Sequence, residues 1–227
     1  MKKFIVFALA LVLVIGFASV SFAAISTSKH DLSTSGPKGS GNSAYGAATT
    51  QICVFCHHPH RGEAGAGDDQ NGGEALLWNM GGFAVTTYDT YASTATMNEA
   101  TAAVDSNAPQ SFLCMACHDG VISGGSLIEN PGDGNDVTYT TLVASANLGT
   151  TLVNDHPVNM TYSDADTGLA ANTATAAATD YVLFSGKMQC ATCHDVHAGT
   201  TSQSNAVQFM RGNTVGSKIC VDCHVTK

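Results

Sequence analysis

The chain has 227 residues, with 9 Lys and Arg against 18 Asp and Glu, a formal charge of −9 and a sequence pI near 5.2. An acidic balance of this size disfavours nucleic acid and anionic lipid as partners and suits basic redox proteins, without naming one. The hydrophobic fraction of 44% rests largely on alanine and on one N-terminal apolar run, so side chains alone cannot build a large core.

Residues 1–23 read as a secretory signal peptide. Lys2 and Lys3 form a positive start, Phe4 to Val20 is almost unbroken apolar sequence, and Ser21-Phe22-Ala23 ends it with small residues. Cleavage is predicted after Ala23, and the absence of a second apolar run argues against a membrane anchor. No cysteine lies near the cleavage point, which argues against a lipoprotein. Cleavage after Ala23 leaves 204 residues and, without Lys2 and Lys3, 7 basic and 18 acidic side chains, a formal charge of −11. Export is expected, to the cell surface and extracellular space or, as the alternative, to the periplasm.

Beyond the leader, all eight cysteines fall into four copies of C-x-x-C-H. They are Cys53, Cys56 and His57; Cys114, Cys117 and His118; Cys190, Cys193 and His194; and Cys220, Cys223 and His224. Two thiols at this spacing form thioethers with the two vinyl groups of one porphyrin, and the following histidine reaches the iron as proximal ligand. Disulfides or a zinc ribbon require no histidine after each pair. With 9 histidines in 227 residues, four chance hits in four have a probability on the order of 10⁻⁶. Four covalently bound haem c groups are therefore expected.

The remaining histidines repeat with the motifs. His30 stands alone, motif 1 follows with His60 three residues after its proximal ligand, and motif 2 has no trailing histidine. His156 then stands alone, motif 3 follows with His197 at the same +3 offset, and motif 4 again has none. The unit occurs twice and divides residues 24–227 into two dihaem units, about 24–125 and 126–227. Four spare histidines for four irons predict bis-histidine ligation, with His30, His60, His156 and His197 as distal ligands. The bland reading of each is a surface or propionate-bonding histidine, and the matched count weighs against it. His58 falls outside the repeat and is read as a spare. Met80, Met97, Met115, Met160, Met188 and Met210 show no repeat and are read as packing.

The order along the chain leaves pairing open. His60 and His197 lie about one helical turn from a proximal ligand, on the same face of that haem, so each should serve a different haem. Acting forward, they serve haems 2 and 4 in a closed monomer. Acting backward, His197 serves haem 2 and His60 serves haem 4 of another subunit, a head-to-tail contact that builds an open filament. Under either scheme His30 and His156 cap haems 1 and 3.

The expected fold is mostly irregular coil, with short α-helices at the haem motifs, minimal β structure and a core of four stacked haems. Residues 164–180 contain almost no large apolar side chain. Weak strand or hairpin signals lie at Leu76–Met80 and Phe83–Tyr91 around Gly81-Gly82, and at Val137–Val143. Gly67-Asp68-Asp69 and Gly132 to Asp136 lack the full calcium-loop pattern and read as turns. Asn159-Met160-Thr161 matches a glycosylation sequon. Phosphate-loop and hydrolase motifs are absent, and closed coordination at every iron argues for electron transfer rather than catalysis.

Taken together, SKHDLS (28–33), CVFCHHPH (53–60), LLWNM (76–80), CMACHDG (114–120), NDHPV (154–158) and CATCHDVH (190–197) resemble the small multihaem cytochromes of metal-reducing bacteria, and among them the tetrahaem OmcE type of extracellular cytochrome nanowire. The resemblance covers the whole mature chain. It implies bis-histidine haems in alternating stacked and T-shaped pairs, identical subunits joined head to tail, external electron acceptors, and a histidine donated across the subunit interface. Carried over by motif, that histidine is His60. The family usually has Thr where this chain has His58. Two other readings stand beside the filament: a monomeric periplasmic tetrahaem shuttle, with the same leader and acidic surface, and a multihaem reductase, which usually keeps one iron open.

Overall fold

A computed structural model describes residues 25–26, 28–34, 36, 49–58, 77–79, 87–93, 97, 99, 101–120, 145–163, 166, 168–170, 181–197 and 209–225. The signal-peptide expectation, the strand signal at Val137–Val143, both acidic turn segments and His60 fall outside these residues.

Regular structure among the described residues is short and gathers at the cysteines. Motif 1 forms a 3₁₀ turn over Cys53–Phe55. Motif 2 occupies the last turns of α1, Pro109–His118. Proline suits the first helical position, where its missing N–H has no intrahelical partner to lose. In α1, Cys114 and Cys117 are three residues apart and therefore share a face. Motif 3 is α2, Cys190–Cys193, after which His194 turns extended at φ −113°, ψ 140°. Motif 4 lies on α3, Lys218–Val221, entered through a 3₁₀ turn at Val215–Ser217. An antiparallel pair, β1 (Met160–Thr161) and β2 (Lys187–Met188), places Met160 opposite Met188.

The turn of the hairpin expected around Gly81-Gly82 lies outside the described residues, which include only 77–79 and 87–91 of its two flanks. Trp78 bridges His57 and Tyr88 bridges Val104, so the two flanks pair with different partners. The physical reason is packing: the aromatic of each flank enters a different cluster. Trp78 packs with Val54 and Phe55, against which Leu32, Ala116 and Cys117 also lie. Tyr88 packs with Val104, Ala108, Phe112, Met115 and Leu152. A third cluster joins Met160, Tyr162 and Met188. Among the described residues the side-chain core is thus three small groups set around the four motifs.

Polar buried groups bind the groups together. The Tyr88 hydroxyl donates to Asp119 Oδ2 at 3.0 Å, with both residues at most 2% exposed. Burial and the Asp119 carboxylate hold the Tyr88 phenol above its usual range. Tyr88→Phe removes a donor from a buried carboxylate, and a hydrogen bond to a charged group is worth about 1.5–3 kcal/mol. A loss of about 2 kcal/mol in denaturant unfolding is expected, and an unchanged midpoint would contradict it. The sequon asparagine is similarly committed. Asn159 adopts φ 54°, its Nδ2 donates to Ala103 O at 2.6 Å, its Oδ1 accepts from Lys187 Nζ at 3.2 Å, and it is 3% exposed. Its amide is a joint between segments and not an accessible acceptor for sugar.

Candidate functional site

The four motifs come together in chain order. Burial pushes the Cys117 thiol up to about 12, and Cys56 and Asp119 lie close enough to add to the shift. Cys114 and Cys190 hydrogen-bond through sulfur, which raises Cys114 and lowers Cys190 to about 7. Beside them Cys190 N donates to Ser111 Oγ at 2.9 Å, which seats α2 against α1. Burial pushes Cys193 up to about 11, with Cys223 and then Cys190 and Cys220 adding to it. Motif 1 therefore meets motif 2, motif 2 meets motif 3, and motif 3 meets motif 4. The outermost thiols of the series, Cys53 and Cys220, are exposed, and the other six are partly buried.

Among the described residues, three of the four motif histidines face a second histidine ring. His57 and His197 have centroids 6.0 Å apart and are stacked at 24°. His30 and His118 lie 6.1 Å apart at 46°. His156 and His224 lie 6.3 Å apart at 67°. Two imidazoles bound to one metal through nitrogens at about 2.0 Å place their centroids about 6.3 Å apart. Rotation about the shared axis leaves the interplanar angle free. The three separations, 6.0–6.3 Å, are compatible with that spacing, as are those of Tyr88–Phe112 at 6.2 Å and His57–Trp78 at 6.4 Å. The pairs fit a haem iron between them.

These pairings differ from the sequence expectation. His30 was expected on haem 1 and His156 on haem 3, and they face the motif 2 and motif 4 histidines instead. His197, expected on haem 2 or haem 4, faces motif 1. The lone histidines precede motifs 1 and 3 in sequence, but sequence order does not set which motif the segment packs on. Leu32 lies where motifs 1 and 2 meet, against Val54, Phe55 and Cys117, and so carries His30 past motif 1. Phe209, 4.8 Å away edge to face, holds the His30 ring there. Because His156 faces His224, the motif 4 histidine has its partner within the chain. None of the described histidines faces His194 at the same separation.

Electrostatics favour the neutral form of His30 and His194. Burial holds His30 down to about 4, with His118 and His194 nearby adding to the shift. Burial and then His118 hold His194 below its usual range. Neutral imidazole is the ligand form. His118 Nδ1 lies 2.8 Å from Ala146 O and His156 Nδ1 lies 3.0 Å from Pro157 O. A carbonyl only accepts, so each Nδ1 carries the proton and Nε2 is left to bind metal. The 145–150 segment is fitted to motif 2: Leu148 N donates to His118 O at 2.8 Å, and Asn147 presses so closely on Gly120 (φ 74°) that no side chain fits there. On motif 3, Arg211 pairs with Asp195 at 2.9 Å and donates through Nε to Ala191 O at 2.8 Å. On motif 4, Lys218 pairs with Asp222. His58 takes part in the backbone bridge, donating to Leu77 O at 2.7 Å.

The supports at Ala146, Phe209 and Arg211 were not found from sequence. Ala146 acts through its carbonyl, which leaves no side-chain signal, and Phe209 and Arg211 follow a polar stretch without a motif.

Among the described residues no helix is long and apolar enough to cross a membrane. No curated protein matches the chain. Residues 184–227, which hold motifs 3 and 4, match the family described by its doubled CXXCH motif. Such motifs bind haem c covalently, and cytochromes built from them generally transfer electrons, although some are reductases. Over residues 184–227 the doubled motif indicates a multihaem c-type cytochrome.

Proposed function

We propose that the chain transfers electrons through four bis-histidine haem c groups, as an exported subunit of an extracellular cytochrome filament that delivers electrons to external acceptors. Thioethers form at Cys53 and Cys56, Cys114 and Cys117, Cys190 and Cys193, and Cys220 and Cys223. His57, His118, His194 and His224 are the proximal ligands. His197, His30, His60 and His156 are their distal partners in that order. Haem iron held between two imidazoles exchanges single electrons without opening a position to substrate, which favours electron transfer over reduction of a bound molecule.

The observation that carries the filament reading is the His197–His57 pair. His197 is the +3 histidine of motif 3, and it reaches back two motifs, to motif 1. His60 is the +3 histidine of motif 1. The same step taken backward from motif 1 leaves the chain and arrives at motif 3 of a preceding subunit. That is a heterologous contact, and repetition builds an open filament. The recipient is then His194 of a neighbour rather than the motif 4 iron, because His156 already faces His224. If His60 turns onto His194 of its own chain, the protein closes as a monomer and serves as a soluble periplasmic shuttle. Electron microscopy and size-exclusion chromatography of native material separate the two. Filaments with His60 on the neighbour's motif 3 iron are expected, and monomers with all eight ligands supplied in one chain would overturn the reading.

A further inference from the structure

We propose that the Trp78 indole donates its Nε1–H to a propionate of the haem held at Cys53, Cys56 and His57. The inference rests on the haem reading above and adds a binding residue to it.

Trp78 Nε1 is buried and has no hydrogen-bond acceptor among the described residues. An indole nitrogen is a donor only, so no change of tautomer or rotor satisfies it. Buried donors without partners are rare in folded proteins and require an explanation. The ring is also unable to turn its N–H toward water easily, because its backbone is pinned on both sides to motif 1. His58 N donates to Leu77 O at 2.7 Å, and Asn79 N donates to Cys56 O at 3.0 Å. Asn79 Nδ2 adds a bond to Val54 O at 2.6 Å. Leu77, at φ 62°, makes the sharp entry that this arrangement needs. The indole stands edge to face on His57, with centroids 6.4 Å apart and planes at 86°, and packs on Val54 and Phe55.

The donor is therefore fixed beside the motif 1 histidine, 6.4 Å between ring centroids. Haem c is apolar except at its two propionates, which are anionic acceptors. An N–H bonded to a carboxylate forms a charge-assisted bond, stronger than a neutral one. It also offsets part of a negative charge close to the iron. The single indole thus both seats the cofactor and tunes it, and Trp78→Phe removes the N–H while keeping an aromatic ring against Val54 and Phe55.

The chain contains one tryptophan, so a tryptophan-specific signal reports this residue alone. The experiment uses the fully haem-loaded protein, with haem content fixed first by intact mass and pyridine haemochrome. Ultraviolet resonance Raman should show a hydrogen-bonded indole N–H. Redox infrared difference spectra of Trp78→Phe should show one propionate carboxylate band displaced from its wild-type position. The midpoint of the motif 1 haem should fall at neutral pH, with the other three in place. An unbonded N–H in the native protein, or unchanged carboxylate bands and midpoints in a fully loaded variant, overturns the proposal. A bond to water gives the second of these results. Lack of haem at motif 1 would instead sink the haem reading itself, so the two failures are distinct.

Discussion

Replacing His197 with alanine is expected to leave one haem per chain high-spin and five-coordinate, while the others stay low-spin. The reasoning starts from position. His197 is exposed, its ring stacks on His57, 6.0 Å away, and its backbone N donates to the Asp195 carboxylate at 3.0 Å. Truncating an exposed side chain ordinarily changes stability by about 0.5 kcal/mol or less. If His197 closes the coordination of the motif 1 iron, the same change removes a link between residues 57 and 197. By chain entropy, a cross-link over a loop of that length is worth at most about 5 kcal/mol. The other three haems still tie the halves together, so the realised loss is smaller than that limit. Ferric absorption and electron paramagnetic resonance read the spin change, and thermal unfolding reads the lost link. An exposed histidine with no role in ligation would leave both measurements at their wild-type values.

The second large effect is expected at His60. In His60→Ala the filament should dissociate to subunits, each with one high-spin haem at motif 3. Both changes should appear together, because one bond closes the iron and joins the subunits. Mixing His60→Ala with a chain in which motif 3 is disabled as Cys190→Ala, Cys193→Ala gives a sharper result. Such a pair can associate through only one of its two ends, so it should stop at short oligomers. A closed monomer predicts otherwise: the high-spin haem appears in His60→Ala, but the elution volume does not move.

How much of this was legible beforehand differs by residue. The cysteines and the histidines that follow them were readable because attachment chemistry fixes residue type and spacing within five positions. Four further histidines in a repeated order could be counted from the sequence. Their destinations could not be read there, because pairing depends on where a segment packs. His30 passes motif 1 since Leu32 packs at the junction of motifs 1 and 2 and Phe209 catches its ring, and neither contact is local in sequence. His197 reaches motif 1 across more than half the chain. Of the strand signals around Gly81-Gly82, only residues 77–79 and 87–91 are described. Trp78 and Tyr88 alternate as a hairpin should, yet each aromatic is drawn into a separate cluster, and two isolated bridges result. The sequon at Asn159 matched in letters, but the buried asparagine is spent on Ala103 and Lys187.

The most direct test is a structure of the native, haem-loaded assembly at a resolution that shows each axial ligand. Four haems are expected, with His57–His197, His118–His30 and His224–His156 as axial pairs within one chain, and His194 completed by His60 of the adjoining subunit. Finding His30 on the motif 1 iron, or any motif iron ligated by a residue other than histidine, would contradict it.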